Sequence, residues 1–127
     1  MDLRSCVPQD KFDLAAIARA RAAGFPAINP ILPELLEWLQ DINWPVADQT
    51  VELLSGSGPE IVPHIRRVLV SDDSVWKYWV LSRLCGRLSP VDLVQLIPDI
   101  ARLADRPSDE DVSEEVDVEA RALLATL

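Results

Sequence analysis

The sequence predicts an all-α fold of about seven helices in one domain, and three observations predict it. Apolar residues recur at spacings of three and four along most of the chain. No stretch alternates apolar and polar residues for long, and no Asn-Gly or Asp-Gly pair is present to turn a hairpin. A proline-bearing pattern also occurs three times, as ILPELLEWL at 31–39, IVPHIRRVL at 61–69 and LIPDIARLA at 96–104.

The elements follow in order. The Ala-rich stretch within 10–23 strongly favours helix; it is expected to cap the domain, with Leu14, Ile17 and Ala18 covering the end of the structure behind it. A helix over 31–42 is amphipathic: Ile31, Leu32, Leu35, Leu36, Trp38, Leu39 and Ile42 form its apolar side and Glu34, Glu37, Gln40 and Asp41 the other. Asn29 is its expected cap, with Pro30 in the first turn. Further helices are expected near 45–55, 59–70, 74–86, 90–104 and 109–126. Pro45, Pro59 and Pro90 sit just inside three of these starts, and Ser89 and Ser108 are cap candidates. Gly24, Gly56, Gly58 and Gly86 fall at helix ends. Gly56-Ser57-Gly58 is followed by Pro59 and not by Lys-Ser/Thr, so it reads as a turn and not as a phosphate loop.

The three repeated segments begin at 31, 61 and 96, so the intervals are 30 and 35 residues. Pro33, Pro63 and Pro98 are equivalent, as are Leu35, Ile65 and Ile100. At the offset of 30, Val46 maps to Trp76, Val51 to Leu81, Leu54 to Leu84 and Gly56 to Gly86. This pattern predicts a HEAT-like α-solenoid, with helix pairs over 30–58, 59–88 and 89–127 behind a capping helix within 1–29. An interior proline loses a hydrogen bond and clashes with the preceding turn. Pro33 and Pro63 must therefore lie in a first turn or at a kink, and the helix from 90 is expected to break at Pro98.

Charge narrows the function. Against 12 Lys+Arg stand 21 Asp+Glu, a net charge of −9 and a pI of about 4.4. Nucleic-acid binding depends on excess cations, so no nucleic-acid partner is expected, and an anionic membrane is disfavoured for the same reason. No apolar run approaches the roughly 20 residues of a spanning helix, and MDLRSCVPQDKFD lacks the pattern of a secretory signal. A cytoplasmic location is expected.

The residues for catalysis are few. Cys6 and Cys85 are the only cysteines and His64 the only histidine, with no ligand spacing for zinc. No metal, cofactor or catalytic residue is expected. An enzyme reading would depend on pairing His64 with Cys85, but Cys85 lies in the apolar run from Leu81 to Leu88 and reads as a buried thiol.

The aromatics and the acids divide between core and surface. Trp38, Trp76 and Trp79 lie on apolar stripes and read as core. Trp44, in the turn DINWP, either staples the preceding helix or stands exposed. Lys77 and Tyr78 lie off the Trp76/Val80 stripe and are candidates for a partner-facing surface. Eight acids, Asp105, Asp109, Glu110, Asp111, Glu114, Glu115, Asp117 and Glu119, crowd the stretch 105–119 with only Arg106 against them. They form either a solvated helix face or a negative patch that steers a basic protein partner.

The segments PELLEWLQDINWPVA at 33–47, IVPHIRRVL at 61–69, DDSVWKYWVLS at 72–82 and DEDVSEEVDVEARALL at 109–124 carry a resemblance. The chain resembles a small bacterial, HEAT-like, all-helical family of unknown biochemical function. Some members of it resemble immunity proteins encoded beside polymorphic or Rhs-type toxins. The resemblance implies an immunity protein that binds a cognate toxin; the negative charge adds the expectation that its acidic surface covers a basic active-site cleft, with a monomer in a 1:1 complex. The residues expected to carry binding are Asp41, Trp44, Asp72, Asp73, Lys77, Tyr78, Glu114, Glu115 and Asp117. A non-catalytic scaffold or adaptor is one alternative, and an enzyme of unfamiliar chemistry resting on His64 and Cys85 is the other.

Overall fold

In the computed structural model, which describes residues 2–127, every regular element is a helix or helical turn. The first long helix, α1 (Leu14–Ala23), starts where the Asp13 side chain accepts a hydrogen bond from the Ala16 backbone N–H at 3.2 Å. That cap sets the start later than the predicted 10. The helix ends at Gly24, whose φ of +69° lies in a region other residues avoid. Its inward side is Ala16, Ile17 and Ala20, set against α3 (Ala47–Leu54) and the short helical turn Leu3–Cys6. Of the expected covering trio only Ile17 is buried. Leu14 is 46% exposed and Ala18 is exposed too, because the small alanines let α1 approach closely on their own side.

The three repeated segments form α2 (Leu32–Leu36), α4 (Val62–Leu69) and α7 (Ile97–Asp105). Pro33, Pro63 and Pro98 are each the second residue of their helix, where the backbone N–H has no partner within the helix and the fixed φ of proline suits the turn. Leu35, Ile65 and Ile100, two residues further on, are fully buried. α2 packs on α4, and α4 on α7, so the three equivalent helices lie side by side.

A second row runs behind them. α3 packs against α2 and against a wide, π-type turn at Val80–Leu84 that continues α5 (Ser74–Trp79). Of the pairs mapped at an offset of 30, Val51 and Leu81 are both buried, as are Leu54 and Leu84; Val46 is buried but Trp76 only half so, and Gly56 and Gly86 are both exposed. After α6 (Pro90–Val94) and α7 the chain closes with α8 (Asp109–Ser113) and α9 (Val116–Leu124). α9 packs on α5 and most extensively on α7.

Several expected helices are broken, each for a local reason. The segment 31–42 is a short α2 followed by a tighter turn at Glu37–Leu39. Asn29 does not cap it; it is the first residue of a helical turn, Asn29–Ile31, with no side-chain cap. Pro45 lies in the turn ahead of α3, outside the helix. The segment from 90 breaks at Gln95 and Leu96, which places Pro98 in a first turn instead of at the break. The last segment breaks at Glu114 and Glu115, and Glu115 takes a left-handed φ of 61°. Ser89 and Ser108 do cap their helices; Ser108 and Asp111 form a reciprocal capping box.

Candidate functional site

The surface is organised by a buried ion pair. The inward stripe of α5 and its continuation comprises Ser74, Lys77, Val80, Leu81 and Leu84, at helical spacing. Lys77 is therefore 4% exposed, and its Nζ lies 2.7 Å from Oδ1 of Asp111, itself 3% exposed. Ser74 Oγ donates to the same carboxylate oxygen at 2.6 Å, and the Ser108 backbone N–H donates to Oδ2 at 3.2 Å. Burial alone would push the Asp111 carboxyl up. The hydrogen bonds from Lys77, Ser74 and Ser108, with the Lys77 charge, outweigh burial and hold it below the usual carboxylate range. The pair ties α8 to α5.

That tie brings two acidic segments together. Asp72, at the turn before α5, and Asp109 and Glu110, at the start of α8, line one open groove of about 890 Å³ whose floor includes Leu69 and Leu103. Of the two arginines there, Arg102 is committed inward, to Asp99 at 3.3 Å and the Leu69 carbonyl at 3.4 Å. Asp111 is matched by Lys77. The rim therefore keeps Asp72, Asp109 and Glu110 against Arg106, all four exposed.

The residues expected to bind a partner divide by position. Asp72 stands on the groove rim. Asp73 is exposed beside it, but its carboxylate caps α5 by accepting from Trp76 N–H at 3.0 Å. Lys77 is not on the partner-facing surface: the stripe that buries α5 runs through Ser74 and Lys77, and the countercharge that permits it comes from α8. Asp117 is also buried, at 7% exposure, and pairs with Arg121 at 3.0 Å. Tyr78 is half-buried and meets Trp79 edge to face at 5.0 Å. Asp41 is half-buried, and its carboxylate accepts from Asn43 N–H at 2.8 Å within its own turn. Glu114 and Glu115 are exposed at the α8–α9 corner and outside the groove.

Trp44 belongs to a different recess. It is half-buried and packs edge to face on Trp38, with ring centroids 5.4 Å apart. The staple reading of DINWP thus describes it. Trp38 and Trp76 are half-buried against the core, and Trp76 Nε1 donates to the Leu36 carbonyl at 3.2 Å. Sequence reasoning missed Glu34 and Glu37 as neighbours of the Trp pair; only the spacing of four between Glu34 and Trp38 hinted at it.

The chemistry of the other candidates is limited. Cys85 is fully buried, and burial pushes its thiol up to about 12, which disfavours a thiolate. His64 lines a small cavity with Glu37, Arg67 and Trp76. Burial and then Arg67 lower its pKa, against Glu34 and Glu60. Among the described residues, no group of three or more His, Cys, Asp or Glu could hold a metal ion, and no helix is long and apolar enough to cross a membrane. A family model described as a domain of unknown function (DUF5071) matches residues 6–124. No curated protein matches the chain.

Proposed function

The chain belongs to the DUF5071 family, and on the geometry of its acidic groove we propose that it is a non-catalytic binding protein, an immunity protein that neutralises a cognate toxin by covering a basic active-site cleft. The observation that carries this reading is the convergence of Asp72 with Asp109 and Glu110 on one open groove, although 37 residues separate Asp72 from Asp109 in the sequence. Toxins that act on nucleic acids or nucleotides present Lys and Arg to an anionic substrate. A rim of carboxylates competes for the same cations, and the net charge of −9 accelerates the encounter. The side-by-side order of α2, α4 and α7, with the second row behind, supports a HEAT-like stack of helix pairs. Such a stack offers a rigid surface, which lowers the ordering cost of association. A 1:1 complex in the cytoplasm fits this role.

The test uses the product of the gene beside the one encoding this chain. Co-expression is expected to suppress that product's toxicity and to yield a 1:1 complex. The triple reversal Asp72→Lys, Asp109→Lys, Glu110→Lys is expected to abolish protection while the variant keeps its helical circular-dichroism spectrum. Full protection by a folded triple variant would overturn the proposal, as would an adjacent product that neither binds nor harms the cell. The adaptor reading would instead gain from a complex that leaves the partner's activity intact.

A further inference from the structure

The recess beside the Trp pair, about 380 Å³, is walled by Trp38, Trp44, Glu34 and Glu37, with Arg4 also lining it. Glu37 and Trp38 follow Glu34 by three and four positions, and all three border the recess. Trp38 and Trp44 are half-buried there as an edge-to-face pair, each with part of its ring surface exposed. Neither glutamate is in an ion pair among the described residues; Glu37 is exposed, and Glu34 is half-buried, its covered Oε2 and the covered Nδ1 of His64 both without a hydrogen bond. His64 supplies no countercharge near neutral pH, since burial and Arg67 hold it below its ordinary value of 6.5. The two carboxylates at the recess thus have no ion-pair partner, and a cationic guest that donates hydrogen bonds supplies one.

We propose that this recess binds an arginine side chain of the protein partner, the guanidinium lying against the Trp38/Trp44 indoles and pairing with Glu34 and Glu37. The partner comes from the reading above; the chemistry of the recess stands apart from it. A guanidinium is planar, stacks on indole and offers paired donors to a carboxylate, whereas a lysine ammonium offers a point charge and no plane. Arg4, at the same recess, repels such a guest and sets its affinity.

Titration of the full chain with N-acetyl-arginine amide, followed by the indole N–H resonances, tests this. Trp38 and Trp44 signals, assigned with Trp38→Phe and Trp44→Phe, are expected to shift saturably while the Trp79 signal stays in place. Glu37→Gln, an exposed change, is expected to weaken binding about tenfold, and Arg4→Ala to tighten it, a gain that damage to the fold cannot imitate. The matching citrulline derivative is expected to give no saturable shift. Absence of saturation with arginine, or an equal response to citrulline or tetramethylammonium, would overturn the assignment. A complex that forms through the acidic groove while arginine fails to bind would remove this recess and leave the partner reading in place. The reverse pattern would do the opposite.

Discussion

At the scale of single residues, Lys77 is the one whose position matters most to the surface and was least visible in the sequence. A Lys between two aromatics in WKYW reads as solvated, since Lys is almost never buried unless paired. Its partner, Asp111, is 34 residues away, and no local pattern connects them. Breaking such a pair leaves a buried charge alone. Lys77→Met is expected to cost about 3–5 kcal/mol in urea unfolding at neutral pH, and Lys77→Met/Asp111→Leu to recover only part of that loss, because the capping box with Ser108 and the acceptor for Ser74 go with Asp111. The pH dependence has a definite sign. The Asp111 carboxyl is held below its ordinary value of 3.8, so its contribution is fully present above that value and fades as the pH falls through the lower, folded one. Stability curves for the wild type are expected to fall more steeply below about pH 3.8 than those for the double variant. A single variant as stable as wild type would contradict the pair's role.

At the scale of elements, the repeat was legible and the helix boundaries were not. Pro33, Pro63 and Pro98 align in the sequence and occupy the same helical position, and Leu35, Ile65 and Ile100 are buried alike. Periodicity reports a face, however, and a face continues across a break. For that reason 31–42, 90–104 and 109–126 each read as one helix, although tighter turns and the left-handed Glu115 interrupt them. Position two of a helix needs no N–H, so Pro63→Ala is expected to change stability by less than about 1 kcal/mol. Ile65→Ala, two residues on, is expected to cost about 2–5 kcal/mol. Thermal unfolding of both variants checks the register, and a proline change as costly as the isoleucine one would contradict it.

At the scale of the molecule, composition gave the sign of the surface charge but not its shape. The acids of 105–119 include two, Asp111 and Asp117, that are buried and paired. The groove instead takes a carboxylate from the turn before α5, set beside those of α8 by the ties of Asp111 to Lys77 and Ser74. The Trp recess was half-visible in DINWP, and its glutamates were hidden because they lie on the polar side of what reads as an ordinary amphipathic helix.

The steering of a basic protein onto the groove by Asp72, Asp109 and Glu110 is a proposal, and its decisive measurement is the association rate of the complex against ionic strength. Exposed charges are screened within about 10 Å at 0.1 M salt. Stopped-flow rates for the wild type are expected to fall steeply from low to high salt, while Asp72→Lys/Asp109→Lys/Glu110→Lys associates more slowly at low salt and with a flattened dependence. Equal rates for the two proteins at every salt concentration would contradict the claim.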